Sequence, residues 1–235
     1  MHSKTTILLK LTGEILVSPL TQALDSQRVR VIAQQIKQLQ ATHRFGIVIG
    51  GGNFFRGSKH GTALGLTPSV GHQIGMLATM MNGLIVKDLL EQEGLPCTVF
   101  CAVPSPEVGS PISAQTIQNA RANNSLMIFT GGTGNPFFTT DTTAILRGLQ
   151  INAHEVWKCT GVDGVYTADP KTAPHAQLVA SLSYNDALMQ KLGIMDATAI
   201  ALAREYRLPI RVFNIFSDNA LVRAANDSTF GSTIS

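Results

Sequence analysis

Short apolar runs recur along the chain at near-regular intervals: "TTILLK" at 5–10, "FGIVIG" at 45–50, "PCTVFCAV" at 96–103, "SLMIFT" at 125–130, "EVWKCT" at 155–160 and "IRVFNI" at 210–215. Each is short and nearly continuous, which predicts strands buried on both faces. The segments between them change period. Val29, Ile32, Ala33, Ile36 and Leu39 fall on one helical face, with Asp25 or Ser26 as the N-cap. A long helix is expected over 69–94, ended by Gly94 and Pro96, and further helices over 113–124, 139–152, 183–192, 196–207 and 219–227. Strands that alternate with helices imply a mostly parallel sheet covered on both sides. With no internal repeat, low-complexity tract or linker, residues 1–235 are expected to form a single domain. The loops expected to move most are 57–69 and 165–177.

Composition narrows the class without naming it. The chain has 235 residues, 44% hydrophobic and 14% charged, enough to bury a sizeable core. Its 18 Lys and Arg against 15 Asp and Glu give a net charge of +3, and no basic run appears. No nucleic-acid partner is therefore expected, although a basic pocket for a small anion remains compatible. No apolar run is long enough to span a bilayer, and the start lacks the apolar core of a signal peptide, so no membrane partner is expected. Cys97, Cys101 and Cys159 sit in or beside apolar stretches without metal spacing. They read as buried thiols in a reducing cytoplasm, and no protein-bound metal is expected.

The candidate chemistry lies in three glycine-bearing segments that follow strands: "KLTGE", "GGGNFFRG" and "GGTGNPFFTTD". In a parallel sheet, ligands collect beyond the carboxyl ends of strands. Neither standard nucleotide fingerprint is present. The last glycine of G-x-G-x-x-G is Phe55 counted from Gly50 and Phe137 counted from Gly132. The P-loop order fails because Ser58 precedes Lys59. In the segment 130–148, glycines keep the loop thin, Pro136 stiffens it, and Thr139 or Thr140 can cap a helix. Taken alone, the segment is compatible with phosphate binding and equally with a well-capped helix.

Taken in order, "KLTGE", "VIGGGNFFRG", "GMLATMMNGL", "GGTGNPFFTTDTTA", "KCTGVDGVYTADP", "MDATAIALA" and "PIRVFN" resemble the motifs of bacterial UMP kinases (uridylate kinases), of the amino acid kinase superfamily. The resemblance runs from about Lys4 to Asn214. It implies an α/β fold, an αβα sandwich of the amino acid kinase type, assembled as a homohexamer in the cytoplasm. It also implies transfer of the ATP γ-phosphate to UMP with Mg²⁺, giving UDP and ADP for pyrimidine nucleotide synthesis. Another amino acid kinase with a different acceptor, or a catalytically weak nucleotide-binding regulator, is the alternative.

Carried over by position, the resemblance implies catalytic roles for Lys10, Asp141 and Asp196. It implies that ATP meets Lys10, Leu11, Thr12, Gly13, Gly52, Arg56, Thr160, Tyr166 and Asp169. It implies that UMP meets Gly51, His72, Thr133, Gly134, Asn135, Pro136, Phe137, Phe138, Thr139 and Thr140. The bland readings stand beside these: a strand-end lysine, a solvated Arg56, loop packing for Tyr166, a turn at Asp169 and an N-cap at Asp196. Asp163 reads as a turn former. Met76, Met80, Met81 and Trp157 read as core, and His43, His60, His154 and His175 as surface. The chain departs from the family at His72, where the resemblance leads one to expect an aspartate that contacts the UMP ribose.

Overall fold

The computed structural model describes residues 4–56, 60–170, 172–173, 175–190 and 193–235. The expected strands form the middle of one sheet: β1 (Thr5–Leu11), β2 (His43–Ile49), β3 (Cys97–Cys101), β5 (Leu126–Thr130), β6 (Glu155–Thr160) and β10 (Ile210–Asn214). Short strands extend or decorate it: β4 (Ser110–Pro111), β7 (Val165–Tyr166), β8 (Leu178–Val179), β9 (Ser181–Leu182) and β11 (Ser232–Ile234). The order is β4-β3-β5-β2-β1-β6-β10-β11-β9, with β7 and β8 paired apart. Every pairing in the large sheet is parallel except β10 with β11.

The helices are α1 (Gln27–Leu39), α2 (Pro68–Gln92), α3 (Ala114–Ala122), α4 (Thr140–Gln150), α5 (Tyr184–Gln190), α6 (Ala197–Glu205) and α7 (Ala220–Asn226). Alternation along β1 sorts the core. Ile7, Leu9 and Leu11 pack with Val29 and Ile36 of α1, Val86 and Leu90 of α2 and Leu221 of α7. Leu8 points the other way, into a cluster with Ile117 of α3, Ile145 of α4 and Ile200 of α6. The result is the expected αβα sandwich.

Capping follows the sequence closely. Asp25 accepts from the Gln27 N–H at 2.9 Å, so it caps α1 although Ser26 occupies the N-cap position. Ser113 caps α3 in a capping box with Thr116. Residues 57–59 of the first expected mobile loop, 171 and 174 of the second, and 191–192 at the end of the helix expected over 183–192 lie outside the described residues.

Three surface and core expectations are corrected. Met81 is 49% exposed, because it lies on the outer face of α2, whereas Met80 is buried. His43 is half-buried, stacked on Phe45 with ring centroids 5.9 Å apart, and burial pulls its imidazole below the ordinary range. His60 is half-buried with its ring edge-on to Phe55. Trp157 is core, as expected, and Cys101 and Cys159 are buried. Burial pushes the half-buried Cys97 thiol up to about 12, which keeps it protonated.

Candidate active site

Parallel strands deliver their carboxyl ends to one edge of the sheet, and the three glycine-bearing segments all begin there. Lys10 and Lys158 interrupt the apolar runs of β1 and β6 and stand directly opposite each other in register. Both share the strand parity of residues buried under α4. Asp141, in the first turn of α4, sits between them. Lys158 Nζ donates to Asp141 Oδ2 at 2.7 Å, while Lys10 Nζ lies 3.0 Å from Oδ1 as an ion pair outside hydrogen-bond alignment. The three side chains are only 13–15% exposed.

Burial alone would raise the Asp141 carboxyl, but Lys10 and Lys158 together hold it below the ordinary carboxylate range. Burial lowers the Lys158 ammonium, and Asp141 opposes that shift. Lys158 also donates to the Ile194 carbonyl. Two ammonium groups share one carboxylate, so the cluster carries a net positive charge at the mouth of the sheet, which suits a phosphate.

Asp196 is the N-cap of α6, where its carboxylate accepts from the Ala199 N–H at 2.9 Å. The same carboxylate accepts from Thr142 Oγ1 at 2.9 Å and from Thr139 Oγ1. It therefore ties the start of α6 to the start of α4. Thr139 is the N-cap of α4 and accepts from the Asp141 N–H at 3.0 Å. The geometry makes Asp196 a brace for the helix end that carries Asp141.

The loop after β5 turns through left-handed backbone at Gly131, Gly132 and Gly134, with φ of +74°, +60° and +85°. It needs glycine for that turn and for its approach to Ala102 and Val103 as well as for thinness. Thr133 Oγ1 accepts from the Asn135 N–H at 3.1 Å and stiffens the tip. Phe137, next to Pro136, holds φ +71°, rare for an aromatic residue, and is 67% exposed. Its ring packs on His72, with centroids 5.2 Å apart. Phe138 and Thr140 complete the rim that leads into α4.

In the loop after β2, Gly51 packs on α2, where a Cβ would stand 2.8 Å from the Ala78 Cβ and 3.0 Å from the Gly75 carbonyl. Helix packing therefore explains Gly51 at least as directly as nucleotide contact does. Arg56 is exposed. Its guanidinium donates to the Gly52 carbonyl at 3.2 Å and to Glu14 Oε1 at 2.9 Å, across to the turn that follows Leu11 and Thr12. Thr12 caps that turn, a short 3-10 helix over Gly13–Leu16.

Beside the lysine cluster lies a cavity of about 620 Å³ whose lining includes Lys158, Thr160, Tyr166, Asp169, Gly193 and Ile194. Three of the nine residues expected on the ATP side, Thr160, Tyr166 and Asp169, thus share one cavity with Lys158. Asp163 supports it from behind, accepting from Asn214 Nδ2 at 3.0 Å and from the Tyr166 hydroxyl at 3.4 Å. Sequence reasoning gave Lys158 no role. Its signal was present: a lysine inside an apolar strand, where unpaired charges are almost never buried. Thr142, the partner of Asp196, carried no such signal.

A site at the carboxyl edge of a parallel sheet, with paired lysines on adjacent strands, suits phosphoryl transfer. The amino acid kinase family model matches residues 5–214, and the chain belongs to that family. Among solved structures, it is similar to UMP kinase from Ureaplasma parvum, with 34% identity, a TM-score of 0.93 and 100% of each chain covered. It is likewise similar to UMP kinase from Bacillus anthracis, with 32% identity, a TM-score of 0.91 and coverage of 99% of this chain and 96% of the other.

Proposed function

We propose that the protein is an ATP-dependent UMP kinase, transferring the γ-phosphate of ATP to UMP. The observation that carries this reading is the Lys10–Asp141–Lys158 cluster, set between a loop of the UMP-kinase pattern and the Thr160–Tyr166–Asp169 cavity. A UMP phosphate oxygen attacks the γ-phosphorus, the new O–P bond forms, the bond to the β–γ bridging oxygen breaks, and ADP leaves. Phosphate monoesters lose their second proton near pH 6, so the nucleophile is already anionic at neutral pH and needs no general base. Lys10 and Lys158 neutralise charge on the transferring group, and Asp141 holds both ammonium groups in place. Asp196 fixes the helix end beneath them. Arg56, released from Glu14, holds a phosphate.

Tyr166 and Asp169 line the adenine and ribose end. Residues 133–140 with Gly51 and His72 receive UMP. Among the described residues no cluster of three or more His, Cys, Asp or Glu could hold a metal, and Asp141 is committed to lysines. Mg²⁺, when bound with ATP, would supply charge screening on the phosphates beside Lys10 and Lys158.

The chain works as a single domain. Val70, Leu77, Met81 and Leu84 form an apolar stripe, 40–52% exposed, along the outer face of α2. That stripe supports assembly with further copies, a hexamer by family resemblance. No helix among the described residues is long and apolar enough to cross a membrane, which is compatible with a cytoplasmic role in pyrimidine nucleotide synthesis.

ADP release measured with UMP, CMP, AMP and GMP tests the assignment. Strong Mg²⁺-dependent turnover of UMP alone is expected, and equal turnover of all four would remove the uridylate assignment.

A further inference from the structure

The long helix α2 buries two polar side chains one turn apart, Thr79 at 4% exposure and Asn82 at 0%. A buried polar group destabilises unless it is hydrogen-bonded, so the partners show what these residues are for. Thr79 Oγ1 donates to the Met76 carbonyl at 2.7 Å and accepts from the Gly131 N–H at 2.9 Å. Gly131 opens the loop after β5. Asn82 Nδ2 donates to the Gly50 carbonyl at 2.6 Å and to Asn53 Oδ1 at 2.7 Å. Asn53 Nδ2 returns a bond to Asn82 Oδ1 at 3.0 Å. Gly50 and Asn53 belong to the loop after β2. One helix therefore grips both loops through adjacent buried groups. Arg147, 4% exposed on α4, grips the first loop from the opposite layer by donating to the Gly132 carbonyl at 3.1 Å.

We propose that Thr79 and Asn82 are positioning residues that set the UMP loop and the glycine loop in register with each other through α2. The proposal rests on the UMP kinase reading. The hydroxyl of Thr79 orients the first peptide of the loop that carries Thr133 and Asn135. The amide of Asn82 fixes the loop that carries Gly51, Gly52 and Arg56. Neither side chain touches a reacting atom, and each acts through the backbone it holds.

Thr79→Val removes the hydroxyl and keeps the shape, while Thr79→Ser restores it. The expected result is a UMP KM raised about five-fold or more in Thr79→Val, the scale of one buried hydrogen bond. The ATP KM should stay within about two-fold, and Thr79→Ser should match the wild type. Asn82→Leu should raise both KM values, because its loop borders both phosphates. If Asn82→Leu does not fold, Asn53→Leu breaks the same amide pair from a half-buried loop position. A purely structural role would lower Tm and leave every KM unchanged, and that outcome in folded Thr79→Val overturns the proposal. Amide hydrogen exchange at Gly131 gives a readout that needs no activity. The amide should be protected in the wild type and Thr79→Ser and exchange faster in Thr79→Val, and equal protection in all three also overturns the proposal. Failure of the wild type to phosphorylate UMP would remove the assignment of function, while the exchange measurement would still decide the tether.

Discussion

The lysine cluster at the centre of the sheet and the glycine loop after β5 place their risk differently. At the centre, charges are held by charges: Lys10, Asp141 and Lys158 are mostly buried, mutually paired and anchored on two strands and a helix. At the rim, Phe137 is exposed on strained backbone and leans on His72, a residue the family pattern does not lead one to expect. The centre shows how transfer can be preorganised before substrate arrives. The rim, where we place UMP, is held by ring packing and a turn rather than by buried charge.

The sharpest way to break this contrast is Lys10→Ala. It should lower kcat by about 10²-fold or more with the fold retained, the usual effect of removing one preorganised charge contact. A folded variant with near-normal kcat, measured at saturating UMP and ATP, would reduce Lys10 to a strand-end lysine.

A second test concerns stability. The Asp141 carboxyl in the folded protein lies below its reference value of 3.8. The unfolded chain therefore takes up the proton first as pH falls. The stabilisation from the charged carboxylate is present above the unfolded value and is lost as pH drops through the folded one. Asp141→Asn should cost about 2 kcal/mol near neutral pH, less than a fully buried pair because the cluster opens to water. Urea unfolding should show the two proteins converging as pH falls below about 4. A gap that stays constant down to about pH 3 would mean that the pairing adds nothing.

The smallest expected effect lies at the rim. An ionised carboxylate can accept from both ribose hydroxyls, whereas a neutral imidazole has one acceptor. His72→Asp should lower the UMP KM by about five- to thirty-fold, worth roughly 1–2 kcal/mol. Identical UMP KM values in the two proteins would place ribose recognition elsewhere and leave His72 as a support for Phe137.

What the chain reveals before folding depends on how each residue is buried. The six inner strands stand out because both faces are covered, so their apolar runs are continuous. β4, β7, β8, β9 and β11 have only two or three residues each and pair at the margins, too short to carry a period. Lys10 and Asp141 were legible only through the family resemblance that their segments carry. Lys158 carried a signal only as a lysine inside an apolar strand, which shows that it needs a partner but not which one. Thr79 and Asn82 were hidden. α2 is apolar on its buried face and again on the Leu77–Met81–Leu84 side, so two polar residues inside it break no visible pattern.

β1 lies in the middle of the sheet, between β2 and β6. Its pairing with β2 joins neighbours in the chain, but its pairing with β6 sets Lys10 against Lys158 across most of the polypeptide. Contacts of such long sequence separation are slow to form, because a large loop must close before they repay it. The charge cluster is therefore expected to close late in folding, after the β1–β2 pairing. A partly folded chain can hold β1 on β2 and carry a finished α1 layer while its two lysines remain apart. Such a species would have much of its secondary structure and no phosphoryl-transfer activity. Recovery of activity after dilution from denaturant should accordingly lag behind recovery of the circular dichroism signal.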